Sequence, residues 1–259
     1  MQPFTLIRPS SLSEASSAFQ GDAAYLAGGH TLIPAMKSRL RTVETLVDLS
    51  GIAALSDIAV DGDRLVVGAM ARHARVAASP VVREAIAGLA SLAGGIGDPQ
   101  VRNRGTLGGS IANNDPAADY PAALLALDAV VDTTHGSHAA EDYFQGMFAT
   151  SLADAEIVTA VRFRIPQASV YAKHPHPASR YALAGVYVAR FAEGHRVAVT
   201  GATTGVVRWA QAEAALNAGA SLEGLSLVSD ELASDIHAGA EFRGHLAGVM
   251  LRKAAGGLA

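Results

Sequence analysis

Two stretches far apart in the chain share one chemical signature: paired glycines beside side chains that can donate a hydrogen bond. The first is Ala27-Gly28-Gly29-His30-Thr31. The second is Gly105-Thr106-Leu107-Gly108-Gly109-Ser110, followed by Ile111-Ala112-Asn113-Asn114-Asp115-Pro116. Adjacent glycines permit positive φ and leave no side chain to hold a ligand away from the backbone. Successive amide hydrogens can then converge on an anion, with Thr31, Thr106 and Ser110 adding hydroxyls. An ordinary tight turn explains either stretch by itself. As a pair, they have the make-up to grip the two phosphates of one pyrophosphate, which sets a dinucleotide ligand on equal terms with the plainer reading. Neither stretch has the Gly-x-Gly-x-x-Gly spacing of the doubly wound dinucleotide fold. Lys37 lies too far from Gly28-Gly29 to make a phosphate-binding P-loop.

Asp119 follows Ser110 by nine residues. Two roles are open for it: acceptor for a ribose hydroxyl, or N-cap of a helix starting near Pro121. Asp115, just before Pro116, reads as a turn residue. Arg102 and Arg104 either neutralise a bound anion or fix their loop to an acidic surface. Lys173 is a flexible cation suited to phosphate or to negative charge on a reduced cofactor, although solvent exposure is the plainer account of a lone lysine in a proline- and histidine-rich segment. His30, His73, His174 and His176 could suggest a metal, but His174 and His176 lie beside prolines with no carboxylate at ligand spacing, and loop or surface histidines are expected instead of a metal site.

Composition removes whole classes of chemistry. The 259 residues include no cysteine, which excludes disulfides, cysteine nucleophiles, zinc fingers and cysteine-held iron–sulfur clusters within this chain. Redox work would need a bound organic cofactor or a second chain. With 24 acidic and 20 basic residues the net charge is −4, unlike the basic footprint of a nucleic-acid binder. No apolar run approaches the ~18 residues of a membrane span, and no cationic leader precedes an apolar stretch. A cytoplasmic protein is the default expectation.

The elements that must hold these residues follow from pattern and punctuation. Strands are predicted at 4–8, 24–27 and 45–49, with a helix capped by Ser10 or Ser11 and another over 32–40; this is a small α/β unit. A hairpin turns at Asp61-Gly62-Asp63. Helices are expected over 74–78, 82–92 and 121–127, strands over 129–131 and 158–165, and a long glycine-rich connection over 94–114. Residues 173–179 read as a loop, 184–191 and 196–200 as antiparallel strands, and 210–216 and 242–255 as helices.

Longer stretches make the match specific. AGGHTLIPAMK at 27–37, IGDPQVRNRGTLGGSIANNDPAADYPAALLALDA at 96–129, EIVTAVRFRIP at 156–166 and YAKHPHPASRYALAGV at 171–186 resemble the FAD-binding subunit of the molybdenum-containing hydroxylases. That family includes the carbon monoxide dehydrogenase medium chain and the central part of xanthine dehydrogenase. The resemblance extends over essentially the whole chain. It implies an α+β, vanillyl-alcohol-oxidase-type (PCMH) FAD-binding fold of two α/β subdomains, about 1–56 and 57–172. A small three-stranded antiparallel sheet with helices follows over 173–259.

By resemblance, Ala27, Gly28, Gly29, His30, Thr31, Thr106, Gly108, Gly109 and Ser110 hold the FAD pyrophosphate, with Leu32 and Ile33 close by. Asp119 stands where the family places an FAD-contacting aspartate. Val158 takes the position of a backbone or apolar contact, and Lys173 that of a lysine near the flavin. No histidine or cysteine is placed for a covalent link, so FAD is expected to bind noncovalently. Molybdenum cofactor and [2Fe-2S] clusters are expected on partner chains only: a large molybdenum subunit and a small iron–sulfur subunit, in a dimer of heterotrimers. In such an enzyme FAD relays electrons from the [2Fe-2S] centres to an external acceptor, and no residue here acts in hydroxylation. Two competing readings are a standalone FAD oxidase or dehydrogenase, and a flavin-free structural subunit that kept the loops.

Overall fold

A computed structural model of the protein describes residues 1–258. Three sheets follow one another along the chain. The first is parallel, with strands Thr5–Ile7, Thr45–Asp48 and Ala23–Leu26 side by side in that order. Parallel neighbours need crossover connections, supplied by helices Leu12–Ala18 and Leu32–Lys37. Ser11 caps the first of these, its Oγ accepting the Glu14 amide at 3.2 Å. The second helix stops at Lys37, short of the expected Leu40, because Arg39 turns left-handed at φ 59°. Ala15, Val47, Leu49 and Ile52 form the core of this unit. Its outer strand is exposed at all three residues.

The second sheet has five antiparallel strands in the order Ile58–Asp61, Arg64–Gly68, Val158–Arg164, Val130–Thr133, Ser137–Ala139. Leu65, Val161 and Phe163 from its strands join Leu89, Leu107 and Leu124 from helices in the largest core. Two elements in this part of the chain differ from expectation. The helix read over 82–92 is two helices, Pro80–Ala85 and Ala87–Gly94, separated by Ile86 at φ −145° and ψ 78°. The break lets the second helix lie close on the following sheet: a Cβ on Gly88 would sit 2.7 Å from the Ser169 carbonyl oxygen. The stretch 94–114 is not a continuous loop either. It holds helices Pro99–Arg104 and Leu107–Asn113, capped by Asp98 and Thr106. Asp98 Oδ1 accepts the Val101 amide at 2.8 Å, with Pro99 preset for the first turn.

The third sheet is antiparallel. Its three long strands, Ala168–Pro175, Ala182–Phe191 and Gly194–Thr200, gain a two-residue edge strand, Val207–Arg208. Residues 173–175, read from sequence as loop, continue the first of these strands, and Lys173 pairs with Gly185. Helices Ala210–Asn217 and Ala240–Gly256 accompany the sheet; Trp209, Leu246, Met250 and Leu251 complete its core. Among the described residues no helix is long and apolar enough to cross a membrane.

Candidate functional site

Both glycine stretches open into one cavity of about 650 Å³, a volume ordinary for a small-molecule site. The first stretch leaves strand Ala23–Leu26, turns at Gly29 with φ 73°, and enters helix Leu32–Lys37. No protein acceptor among the described residues takes the amide hydrogens of Gly28, Gly29, His30 or Thr31. They are the donors an anion would need.

The second stretch works differently from the expected cradle of amides. The Leu107 amide donates to Ala71 at 3.1 Å and the Gly108 amide to Ala69 at 2.8 Å. The Gly109 amide donates to Thr106 Oγ1 at 3.1 Å, and the Ser110 amide to the Thr106 carbonyl at 3.0 Å. All four are spent inside the fold, because Gly108 and Gly109 form the first turn of a capped helix. What these glycines contribute is closeness. A Cβ on Gly108 would lie 2.6 Å from Ala69 Cβ, and one on Gly109 would lie 3.4 Å from Ala27 Cβ. Gly28 is tighter still, its absent Cβ falling 2.5 Å from the Arg104 carbonyl oxygen and 2.7 Å from Gly105 Cα. The two stretches therefore meet backbone to backbone.

Of the residues nominated from sequence, Ala27 to Leu32, Thr106, Gly108, Gly109, Ser110, Asp119 and Val158 line the cavity. Ile33 does not; it packs beside Met36, Val43 and Leu46 in a small apolar cluster behind the turn. Lys173 does not line it either. Its ammonium lies 3.0 Å from the Asp119 carboxylate and 3.1 Å from the Arg180 carbonyl, with the side chain only 10% exposed. Solvent exposure, the plainer account of this lysine, is overturned. So is the capping role of Asp119, whose side chain makes no cap hydrogen bond and instead accepts from Lys173 and, at 2.5 Å, from the Tyr171 hydroxyl. Burial raises the Asp119 pKa despite the opposing pull of Lys173 and Tyr171.

Sequence reasoning missed Arg41, Arg180 and Tyr181, all of which line the cavity. Tyr181 keeps 45% of its surface open, and no spacing rule marks it. Arg102 fixes its loop, donating to the carbonyls of Ile96 and Gly97 at 2.9 and 3.1 Å. Asp115 is the turn residue expected, accepting the Ala117 amide at 2.9 Å. The described residues contain no cluster of three or more metal-ligating side chains.

His73 lies in the same wall and is 4% exposed, with Nδ1 unpartnered. Burial first, then the nearby His30 and Arg102 charges, lower its pKa from 6.5 to about 4. The unfolded chain therefore takes up this proton before the folded one does. The stability conferred by the neutral ring is complete above pH 6.5 and is lost as pH falls toward 4, on the order of 3 kcal/mol in total. A His73→Phe variant should flatten that segment of the stability–pH profile; an unchanged slope in denaturant melts would refute the assignment.

Residues 2–168 match the model of the family described as the FAD binding domain in molybdopterin dehydrogenase. The carbon monoxide dehydrogenase medium chain of Afipia carboxidovorans is 36% identical, over 97% of this chain and 95% of the relative. The nicotine 6-hydroxylase medium subunit of Paenarthrobacter nicotinovorans is 34% identical, over 90% and 88% respectively. Among solved structures, a chain of the reconstituted CO dehydrogenase from Oligotropha carboxidovorans superposes with a TM-score of 0.90 at 32% identity, over 100% of this chain and 99% of that one.

Proposed function

Because the chain belongs to the family of FAD-binding domains of molybdopterin dehydrogenases, we propose that it is the flavin-carrying subunit of a three-chain molybdenum hydroxylase, relaying electrons from [2Fe-2S] centres through FAD to an external acceptor. The observation that carries this reading is the row of unbonded amides at Gly28–Thr31, set against the second glycine stretch at the wall of one nucleotide-sized cavity. The fold is the α+β PCMH-type FAD-binding fold, two subdomains followed by a small antiparallel sheet.

Bound FAD supplies an isoalloxazine ring that accepts and passes on electrons; the protein supplies position and field. In this reading the amides of Gly28, Gly29, His30 and Thr31 hold the pyrophosphate, and the Thr31, Thr106 and Ser110 hydroxyls add donors. Ala27, Gly108 and Gly109 let the backbone come close, and Leu32 and Val158 supply apolar contact. Ile33 backs the turn. Asp119 accepts a sugar or ribityl hydroxyl through lone pairs not used by Lys173 and Tyr171, and Lys173 acts through Asp119. Tyr181 presents a flat face on which a ring can stack. Nothing in this scheme binds the flavin covalently.

The subdomains are proposed to divide at about residues 56 and 57, and the flavin-binding part at about 172. Since the chain has no cysteine, the clusters belong to a small partner chain and the molybdenum cofactor to a large one, in a cytoplasmic dimer of heterotrimers. The test begins with protein purified together with untagged neighbours. FAD released on denaturation, two copurifying chains, and molybdenum and iron in that complex are the expected results. Protein that takes up no FAD would end the flavin reading. FAD-loaded protein that oxidises an organic substrate unaided would end the subunit reading.

A further inference from the structure

A second cavity, of about 250 Å³, shares Ala27, Met70 and Thr106 with the wall of the first. Its remaining lining is almost wholly polar. Arg8, Arg72 and Arg104 enter from three separate segments, and the hydroxyl residues Ser50 and Ser56 complete the wall with Asp48. Only Arg8 has a carboxylate nearby, Asp48 at 3.7 Å, and that carboxylate also accepts the Ser50 amide at 2.9 Å. Arg72 and Arg104 make no side-chain hydrogen bond or ion pair with any described residue. Three guanidiniums against one carboxylate leave a local excess of two positive charges in a protein whose net charge is −4.

The backbone brings these cations together for reasons unrelated to their charge. Arg72 pairs with Thr106 in an isolated antiparallel bridge, and the Arg104 carbonyl is pressed against Gly28. All three arginines are exposed, and like charges gathered at the wall of one cavity repel unless an anion lies among them. A planar guanidinium fork suits two oxygens of one oxyanion, which makes arginine the usual choice for phosphate recognition. We infer that this cavity is a second anion site, separate from the flavin cavity, that takes a small dianion of the phosphate class on Arg72 and Arg104 with Arg8 at its rim. The inference does not rest on the flavin reading. Because Ala27 and Thr106 face both cavities, an occupant here would brace the wall that the first cavity uses.

Inorganic phosphate is the probe. It should bind the purified protein saturably, one per chain, by titration calorimetry, equally with and without saturating FAD. The double variant Arg72→Ala/Arg104→Ala should bind it at least about tenfold more weakly, since each lost partner is a charge-assisted hydrogen bond, while its flavin content matches wild type. Phosphate binding that FAD displaces would mean that the probe was reading the first cavity, and would overturn the inference. Binding that is absent, or unchanged in the double variant, would overturn it as well. A Ser229→Ala control, remote in the C-terminal part, should behave as wild type.

Discussion

A Gly28→Ala variant should be purified with less than about a tenth of the wild-type flavin, a loss corresponding to at least ~1.4 kcal/mol of binding free energy. The added methyl would stand 2.5 Å from the Arg104 carbonyl oxygen and 2.7 Å from Gly105 Cα. Both obstacles are backbone, so no side-chain rotation relieves them, and overpacking of this kind costs about 1–3 kcal/mol. Relief requires the two glycine stretches to part, which reshapes the wall that they share. Gly29→Ala should do less harm. Its strain comes from φ 73°, and its nearest obstacle is the movable Ile33 side chain at 3.1 Å. Gly239→Ala, with nothing within 4 Å, should keep full flavin. If Gly28→Ala and Gly239→Ala carry equal FAD per chain, the backbone contact does not shape the site.

The second large effect concerns charge. Lys173→Met would leave the Asp119 carboxylate, 5% exposed, without its cation. Breaking one side of a buried pair costs about 3–5 kcal/mol. Asp119 already has its pKa raised by burial, and the Lys173 ammonium is the strongest influence holding that rise in check. Without it the pKa rises further. A carboxyl whose folded pKa exceeds its unfolded value favours the fold when protonated. That contribution is complete below the unfolded value of 3.8 and disappears as pH rises through the folded one. The variant should therefore be weakest at neutral pH and recover part of the deficit on acidification, opposite in sign to the His73 effect. Asp119→Asn combined with Lys173→Met should restore much of the neutral-pH melting temperature. A Lys173→Met protein with a wild-type melting temperature at pH 7 would show that the pair contributes nothing.

The strands and most helices were legible because their signals are local. Two short apolar runs around the Asp61-Gly62-Asp63 turn marked the hairpin, and Ser10 or Ser11 marked a helix start. Several misreadings came from contacts distant in sequence, others from local signals given too little weight. Glycine is a poor helix former, so Leu107-Gly108-Gly109 read as loop; yet Gly108 stands at a helical position where Ala69 leaves no room for a side chain. The caps Asp98-Pro99 and Thr106 were visible in that stretch and outweigh the glycines. Ile86 breaks a helix that periodicity would continue, since the following segment must tilt onto Ser169. Lys173 looked exposed because its neighbours are proline and histidine, whereas its partner, Asp119, lies 54 residues away. That both glycine stretches share one cavity was anticipated from their chemistry. That only the first keeps its amides free was not, because the acceptors at Ala69 and Ala71 come from another segment.

The exposed outer strand Thr5–Ile7 closes the parallel sheet on one side with a row of backbone groups that no further strand covers. Leu6, at 58% exposure, adds apolar surface there. Such a margin is a template for edge-to-edge pairing with another molecule, and it carries no lysine to discourage it. In concentrated solution the protein prepared alone should therefore self-associate through this margin, and Leu6→Lys should keep it dispersed without touching the flavin.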